Sequence, residues 1–123
     1  MRDAKIAPPM SAITTHVLDT ARGIPARGVR VSLEQIDSKE EWHAIGHGVT
    51  DSSGRLKTLM PDSARPVPGI YRLMFDARGY FIDSGINSFF PLVAVTFEVS
   101  DAADHYHVPL LLSPFGYTTY RGS

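Results

Sequence analysis

Apolar and polar residues alternate with a period of two along most of this chain, in short runs broken by turn residues. Ile13, Thr15 and Val17 alternate with Thr14, His16 and Leu18. After a turn over residues 19–25, Val29, Val31 and Leu33 alternate with Arg30, Ser32 and Glu34. Successive side chains of a strand point to opposite faces, so this spacing predicts half-buried strands. Residues 42–50 read as a third strand, weakened by Gly46 and Gly48. Asp51-Ser52-Ser53-Gly54 reads as a hairpin-type turn, because glycine accepts the positive φ such turns need. Residues 55–59 are then the returning strand.

Three prolines mark residues 61–69 as a loop, and 70–75 follow as a strand. Residues 77–86 are the place for one short helix, bounded by Gly79 and Gly85. Val93, Val95, Phe97 and Val99 alternate with Ala94, Thr96 and Glu98, and residues 106–112 and 117–120 supply two last strands. Seven or eight short strands at this spacing predict an all-β antiparallel sandwich rather than a βαβ fold.

The length, 123 residues, suits one domain, and a 43% hydrophobic content suffices for its core. Residues 1–10, with Pro8-Pro9 and no apolar stretch, read as a short leader rather than a secretory signal, leaving 11–123 as the domain. The net charge of -1 points to neither nucleic acid nor a membrane surface. No apolar run approaches the roughly 20 residues of a membrane span. Cysteine is absent, which excludes a disulfide scaffold and a thiol nucleophile. With no targeting signal read in the sequence, the expected location is the cytoplasm.

Five histidines remain as the carriers of proton chemistry: His16, His43, His47, His105 and His107. His16 lies mid-strand, and His105 and His107 share one strand face. The His-x-His spacing can bind a metal, but catalytic zinc usually takes three protein ligands and no third lies near in sequence, so neither a metal nor another cofactor is expected. Arg55 follows the turn at 51–54, and its planar fork suits an anion or an imide-like edge if it faces a pocket. The chain then closes on Tyr120-Arg121-Gly122-Ser123 with almost no slack after its last strand. An aromatic, a guanidinium, a hydroxyl and a carboxylate at that stop suit a piece of a site better than a frayed tail.

Three segments carry a resemblance. Thr15-His16-Val17-Leu18-Asp19-Thr20, Thr50-Asp51-Ser52-Ser53-Gly54-Arg55, and the run from His105-Tyr106-His107-Val108-Pro109 through Ser113-Pro114 to Tyr120-Arg121-Gly122-Ser123 resemble, in that order, the 5-hydroxyisourate hydrolase family, the transthyretin-related enzymes of urate breakdown. The resemblance implies a transthyretin-like fold of two four-stranded antiparallel sheets with one short helix. It also implies a homotetramer, a dimer of dimers, with active sites at the dimer–dimer interface along a central channel. The implied substrate is 5-hydroxyisourate, opened by water to 2-oxo-4-hydroxy-4-carboxy-5-ureidoimidazoline. His16, Arg55, His107 and Ser123 carry over as catalytic, and His16, Arg55, Tyr120, Arg121, Gly122 and Ser123 as substrate-binding. His105 does not carry over, and Ser113 and Pro114 match as site or channel neighbours. Arg121 either supports the substrate or pairs with a carboxylate to fix the tail. The alternative is a transthyretin-like carrier. Transthyretin has Lys, Glu and Thr where this chain has His16, Arg55 and His107, and it lacks the Tyr-Arg-Gly-Ser ending.

Overall fold

A computed structural model describes residues 11–123, so the leader expected at 1–10 lies outside the described residues. The strands are β1 (Ile13–Asp19), β2 (Ile24–Pro25), β3 (Arg30–Ile36), β4 (Trp42–Val49), β5 (Arg55–Leu56), β6 (Gly69–Phe75), β7 (Val93–Val99), β8 (Tyr106–Ser113) and β9 (Gly116–Thr119); the one helix, α1 (Ala77–Asp83), sits between β6 and β7. One sheet runs β4-β3-β6-β7. The other runs β2-β1-β8-β9, with β5 also on β1. The transthyretin-like sandwich expected from the sequence is therefore present, with one sheet of five strands instead of four because the two-residue β5 also pairs with β1.

The alternation predicts the core. Ile13 and Val17 of β1, Leu33 of β3, Leu73 of β6 and Leu110 of β8 are fully buried between the sheets. Each such side chain removed from water stabilises the fold by about 1.5–3 kcal/mol before chain entropy is counted. Asp76 caps α1, accepting from the Gly79 amide at 2.9 Å, and Ala77, Tyr80 and Phe81 pack inward. Gly85, at φ 70°, ends the helix short of the expected 86, because the left-handed turn there is one glycine adopts freely. The buried carboxylate of Asp19 ties this helix to β1, accepting from the Tyr80 hydroxyl at 2.7 Å and the Arg22 amide at 3.0 Å. Burial, with the Asp19 carboxylate next in weight, pushes the Tyr80 phenol up to about 12.

Beyond the helix end, the structure departs from the sequence reading in its strands. The sandwich is antiparallel except for one pair: β1 and β8 run parallel, from Ile13↔Tyr106 to Asp19↔Leu112. Residues 55–59 do not return beside β4. Only Arg55 and Leu56 form a strand, and they pair with β1 in the other sheet, so the turn at 51–54 is a crossing between sheets. Ile24 and Pro25, read as turn, pair with Leu18 and Asp19. Thus β2 and β5 share one edge of β1 end to end. The last strand spans Gly116–Thr119 instead of 117–120.

Gly46 marks that crossing rather than a weak strand. A Cβ at Gly46 would lie 1.8 Å from the Leu59 carbonyl oxygen, so the segment after β5 crosses directly over β4. Gly46→Ala is expected to destabilise the fold by about 1–3 kcal/mol, the usual cost of forcing atoms into a packed contact. Urea denaturation measures this, and an unchanged midpoint would show that the crossing segment yields without cost.

Candidate active site

The outer face of the sheet containing β1 holds the candidate chemistry. In β1 the even positions Thr14, His16 and Leu18 point away from the core, while Ile13, Thr15 and Val17 point in. In β8 the outward positions are His107, Pro109 and Leu111. The register sets Thr14 beside His107 and His16 beside Pro109, and on the other edge of β1 it sets His16 beside Arg55. Neighbouring strands lie about 4.8 Å apart, so His16 has Arg55 on one side and, one diagonal step away, His107 on the other. His16 and His107 are half-buried, and Arg55 is exposed.

The turn before Arg55 is built to hold it. Asp51 Oδ1 accepts from the amides of Ser53 and Arg55, each at 2.9 Å. The Arg55 amide, more than any other group, keeps the Asp51 carboxyl below its usual range. Gly54, at φ 78°, accepts from the Val17 amide at its carbonyl oxygen at 2.7 Å, and a Cβ there would lie 2.4 Å from the Val17 carbonyl oxygen. The turn is thereby pinned to β1. It also aims the Ser53 carbonyl at Nε2 of His16, 2.8 Å away. A carbonyl only accepts, so Nε2 of His16 carries a proton and Nδ1 is its free nitrogen.

His107 is held from the other side. Its Nδ1 lies 2.7 Å from the Thr14 hydroxyl, which also lies 3.1 Å from Nε2 of His105. The His105 and His107 rings stack with centroids 6.3 Å apart. Desolvation, and after it the positive charge of Arg55, lowers the His107 pKa below its ordinary 6.5, with His105 and His16 adding to the effect. This imidazole is therefore kept neutral at pH values where a free histidine is already partly charged.

The tail continues β9 along β8. From Leu110↔Thr119 to Ser113↔Gly116 the pairing is antiparallel, and the bridge His107↔Gly122 keeps the same register. The ladder breaks at Pro109 because proline has no amide to donate. Thr119 compensates there, its hydroxyl donating to the Pro109 carbonyl at 2.7 Å. The Gly122 amide then donates to the His107 carbonyl at 2.8 Å. A Cβ on Gly122 would sit 2.7 Å from Cδ2 of His107 and 3.2 Å from Cγ of Pro109. Only a glycine lets the tail lie against the imidazole.

The structure thus brings His16, Arg55, His107 and Gly122 together. Ser123 follows Gly122 and is exposed. Arg121 takes the other direction: its guanidinium lies 4.5 Å from the Tyr106 ring centroid and 3.8 Å from the Asp104 carboxylate. Of the two roles open to Arg121, the contacts are those of a tail anchor. Tyr120 and Arg121 line a cleft of about 220 Å³ with Phe97, Tyr106 and Val108, between the open edges of the two sheets. Ser113 uses its hydroxyl locally, donating to the Gly116 carbonyl at 3.0 Å. Away from this face, Asp37, Glu41 and His43 have ligand atoms close enough to hold an ion. His43 Nε2 already hydrogen-bonds the Asp37 carboxylate at 2.5 Å at the β3–β4 turn. Sequence reasoning missed Thr14, although its place two residues before His16 already put it on the histidine face.

A profile of the HIUase/Transthyretin family matches residues 13–122. A curated relative, the 5-hydroxyisourate hydrolase of Salmonella dublin, is 46% identical over 111 residues, 90% of this chain and 80% of the relative. A solved structure of Klebsiella pneumoniae 5-hydroxyisourate hydrolase superposes with a TM-score of 0.78 at 34% identity, covering 90% of this chain and 98% of that one. Sea bream transthyretin in complex with thyroxine superposes with a TM-score of 0.84 at 33% identity, covering 90% and 94%.

Two outcomes test the geometry. Gly122→Ala should move the His107 ring resonances in NMR while leaving far-ultraviolet circular dichroism unchanged; unmoved resonances would mean that the tail does not touch the ring. In an NMR pH titration His107 should titrate below 6.5, and Arg55→Gln should shift that midpoint upward, because removing a neighbouring cation favours the imidazolium. A downward shift or none would separate Arg55 from His107.

Proposed function

The chain belongs to the HIUase/Transthyretin family, and we propose that it is an enzyme of that family, hydrolysing 5-hydroxyisourate in urate degradation. The observation that carries this reading is the convergence of His16, Arg55 and the neutral-biased His107 on one sheet face. Fold alone does not separate enzyme from carrier, since transthyretin shares it. A carrier of an apolar ligand has no use for a depressed imidazole beside a guanidinium. Curated relatives that carry the hydrolase name cover most of this chain, at 46% and 38% identity.

The reaction follows from the charges. Water attacks the acyl carbon of the six-membered ring while Nε2 of neutral His107 takes its proton. Arg55 holds the substrate and the oxyanion that forms on the carbonyl oxygen. The acyl–nitrogen bond breaks as the His107 imidazolium returns the proton to the leaving nitrogen, giving the ring-opened carboxylate. His16, its Nε2–H engaged by Ser53, offers Nδ1 to the substrate. Gly122 keeps the tail beside His107, where the Ser123 hydroxyl orients the attacking water or the ring. Acid–base help of this kind is worth about 10²–10⁴-fold, and a preorganised oxyanion donor about 10²–10³-fold.

Residues 11–123 act in this reading as one hydrolase domain that assembles into a dimer of dimers, with sites where dimers meet. Two features support assembly: β7 and β9 are sheet edges, and Phe89, Phe115, Tyr117 and Tyr120 are exposed. The histidine face is open in the single chain, and closing it against a partner would exclude water from the charges it relies on. The reaction needs no metal or cofactor in this scheme. Its proposed setting is the cytoplasm, which the cysteine-free composition fits.

Freshly generated 5-hydroxyisourate has an ultraviolet band whose decay reports the reaction. The protein should accelerate that decay, and an unaccelerated decay would leave the carrier reading. His16→Ala, Arg55→Ala and His107→Ala should each lower turnover by about 10²–10⁴-fold with the elution volume on size exclusion unchanged. Turnover should fall as pH drops through the depressed pKa of His107, below 6.5 rather than at it. Deleting residues 121–123 should cost far more activity than thermal stability; the reverse would make the tail a structural strap.

A further inference from the structure

Thr14 is 1% exposed, and its hydroxyl stands between two imidazoles, 2.7 Å from Nδ1 of His107 and 3.1 Å from Nε2 of His105. The strand register makes this arrangement, since Thr14 pairs with His107 and His105 stands two residues earlier on the same side. The two imidazole nitrogens are the only hydrogen-bond partners of this hydroxyl among the described residues, so its single proton goes to one of them and a lone pair accepts from the other. The neutral cluster then has two arrangements. In the first, His107 donates Nδ1–H to Thr14, Thr14 donates to a bare Nε2 of His105, and Nε2 of His107 is a lone pair. In the second every bond is reversed, and Nε2 of His107 already carries its proton. Only the first arrangement is a base toward the open face.

We propose that Thr14 and His105 are positioning residues that hold His107 in its base-competent tautomer through the shared hydroxyl. The proposal rests on the reading of His107 as the base above. It adds His105, a residue set aside when the sequence was read, and Thr14, which carried no role there. When His107 takes a proton from water at Nε2, its Nδ1–H goes on donating to Thr14, so no hydrogen bond reverses during the step. The proton leaves Nε2 again for the departing nitrogen, and none crosses Thr14. His105 thus does for His107, through one hydroxyl, what a carboxylate does for the histidine of a hydrolytic triad.

His105 is exposed. Arg65 and Asp104 line the same surface pocket as His105, and Asp104 also faces Arg121 at 3.8 Å. Arg55, His16 and His105 are the charged or titratable groups that act on His107.

The test compares variants that keep or remove the acceptor chain. Thr14→Val and His105→Phe should lower kcat by about 10–100-fold with KM within about 3-fold, the range expected when an orienting partner is lost. Thr14→Ser and His105→Gln, which restore a hydroxyl and an acceptor oxygen, should rescue most of that loss. Nitrogen-15 NMR of the His107 ring should show Nδ1–H in the native protein and a shift toward Nε2–H in Thr14→Val. Native kcat in Thr14→Val, or the same His107 tautomer in both proteins, would overturn the proposal. Should Thr14→Val not fold, His105→Phe, at an exposed position, decides by the same readouts. If the native protein leaves 5-hydroxyisourate decay unchanged, the hydrolase reading fails. The tautomer comparison still stands on its own in that case, so the two failures are distinguishable.

Discussion

The parallel pairing of β1 with β8 is the contact on which the rest of the molecule depends. It joins Thr14 to His107 and His16 to Pro109 across more than 90 residues of chain, 93 for the Thr14–His107 pair. A shift of one residue would turn His16 inward and Val17 outward, exchanging a histidine for a core side chain. The buried row Ile13 and Val17 against Val108 and Leu110 makes that shift unfavourable. Core packing on one face of β1 therefore sets the spacing of the chemistry on the other.

Two further segments use the same pair of strands as a template. On the free edge of β1, β5 delivers Arg55, held by Asp51 and Gly54. On the free edge of β8, β9 and the tail run in one register to Gly122. Pro109 is the point where that edge cannot donate, and there the tail switches from a continuous ladder to a Thr119 side-chain bond and a single bridge. The site is thus a strip across the sheet, with rigid strands beneath the histidines and shorter, turn-held pieces at either end.

Electrostatics follow from this layout rather than from net charge. The chain carries only -1 overall, yet Arg55, His16 and His105 all act on one half-buried ring. Clustering cationic or potentially cationic groups around His107 opposes its protonation, and half-burial opposes it further. The same crowding that depresses one imidazole supplies positive potential for an anionic reaction centre. One arrangement thereby places an imidazole biased toward its neutral form beside a guanidinium, the pair that the proposed hydrolytic step uses.

The period-two pattern, the turn at 51–54, the helix near 77 and the His-x-His face were all legible in the sequence, because each depends on residues close together in the chain. The ends of α1 and β9 were legible only approximately, since Gly85 and the bridge at Gly122 act through local geometry that composition does not specify. What the sequence could not determine is pairing between distant segments. Residues 55–59 alternate like a hairpin partner of β4, and only the packed structure sends Arg55 and Leu56 to β1 with the following segment across Gly46. Thr14 looked like one more strand threonine until β8 came beside it. By itself the sequence settled which residues face outward and which chemical groups are present. The tertiary structure decided which of those groups meet, because strand register is a property of two segments and their shared core, not of either one alone.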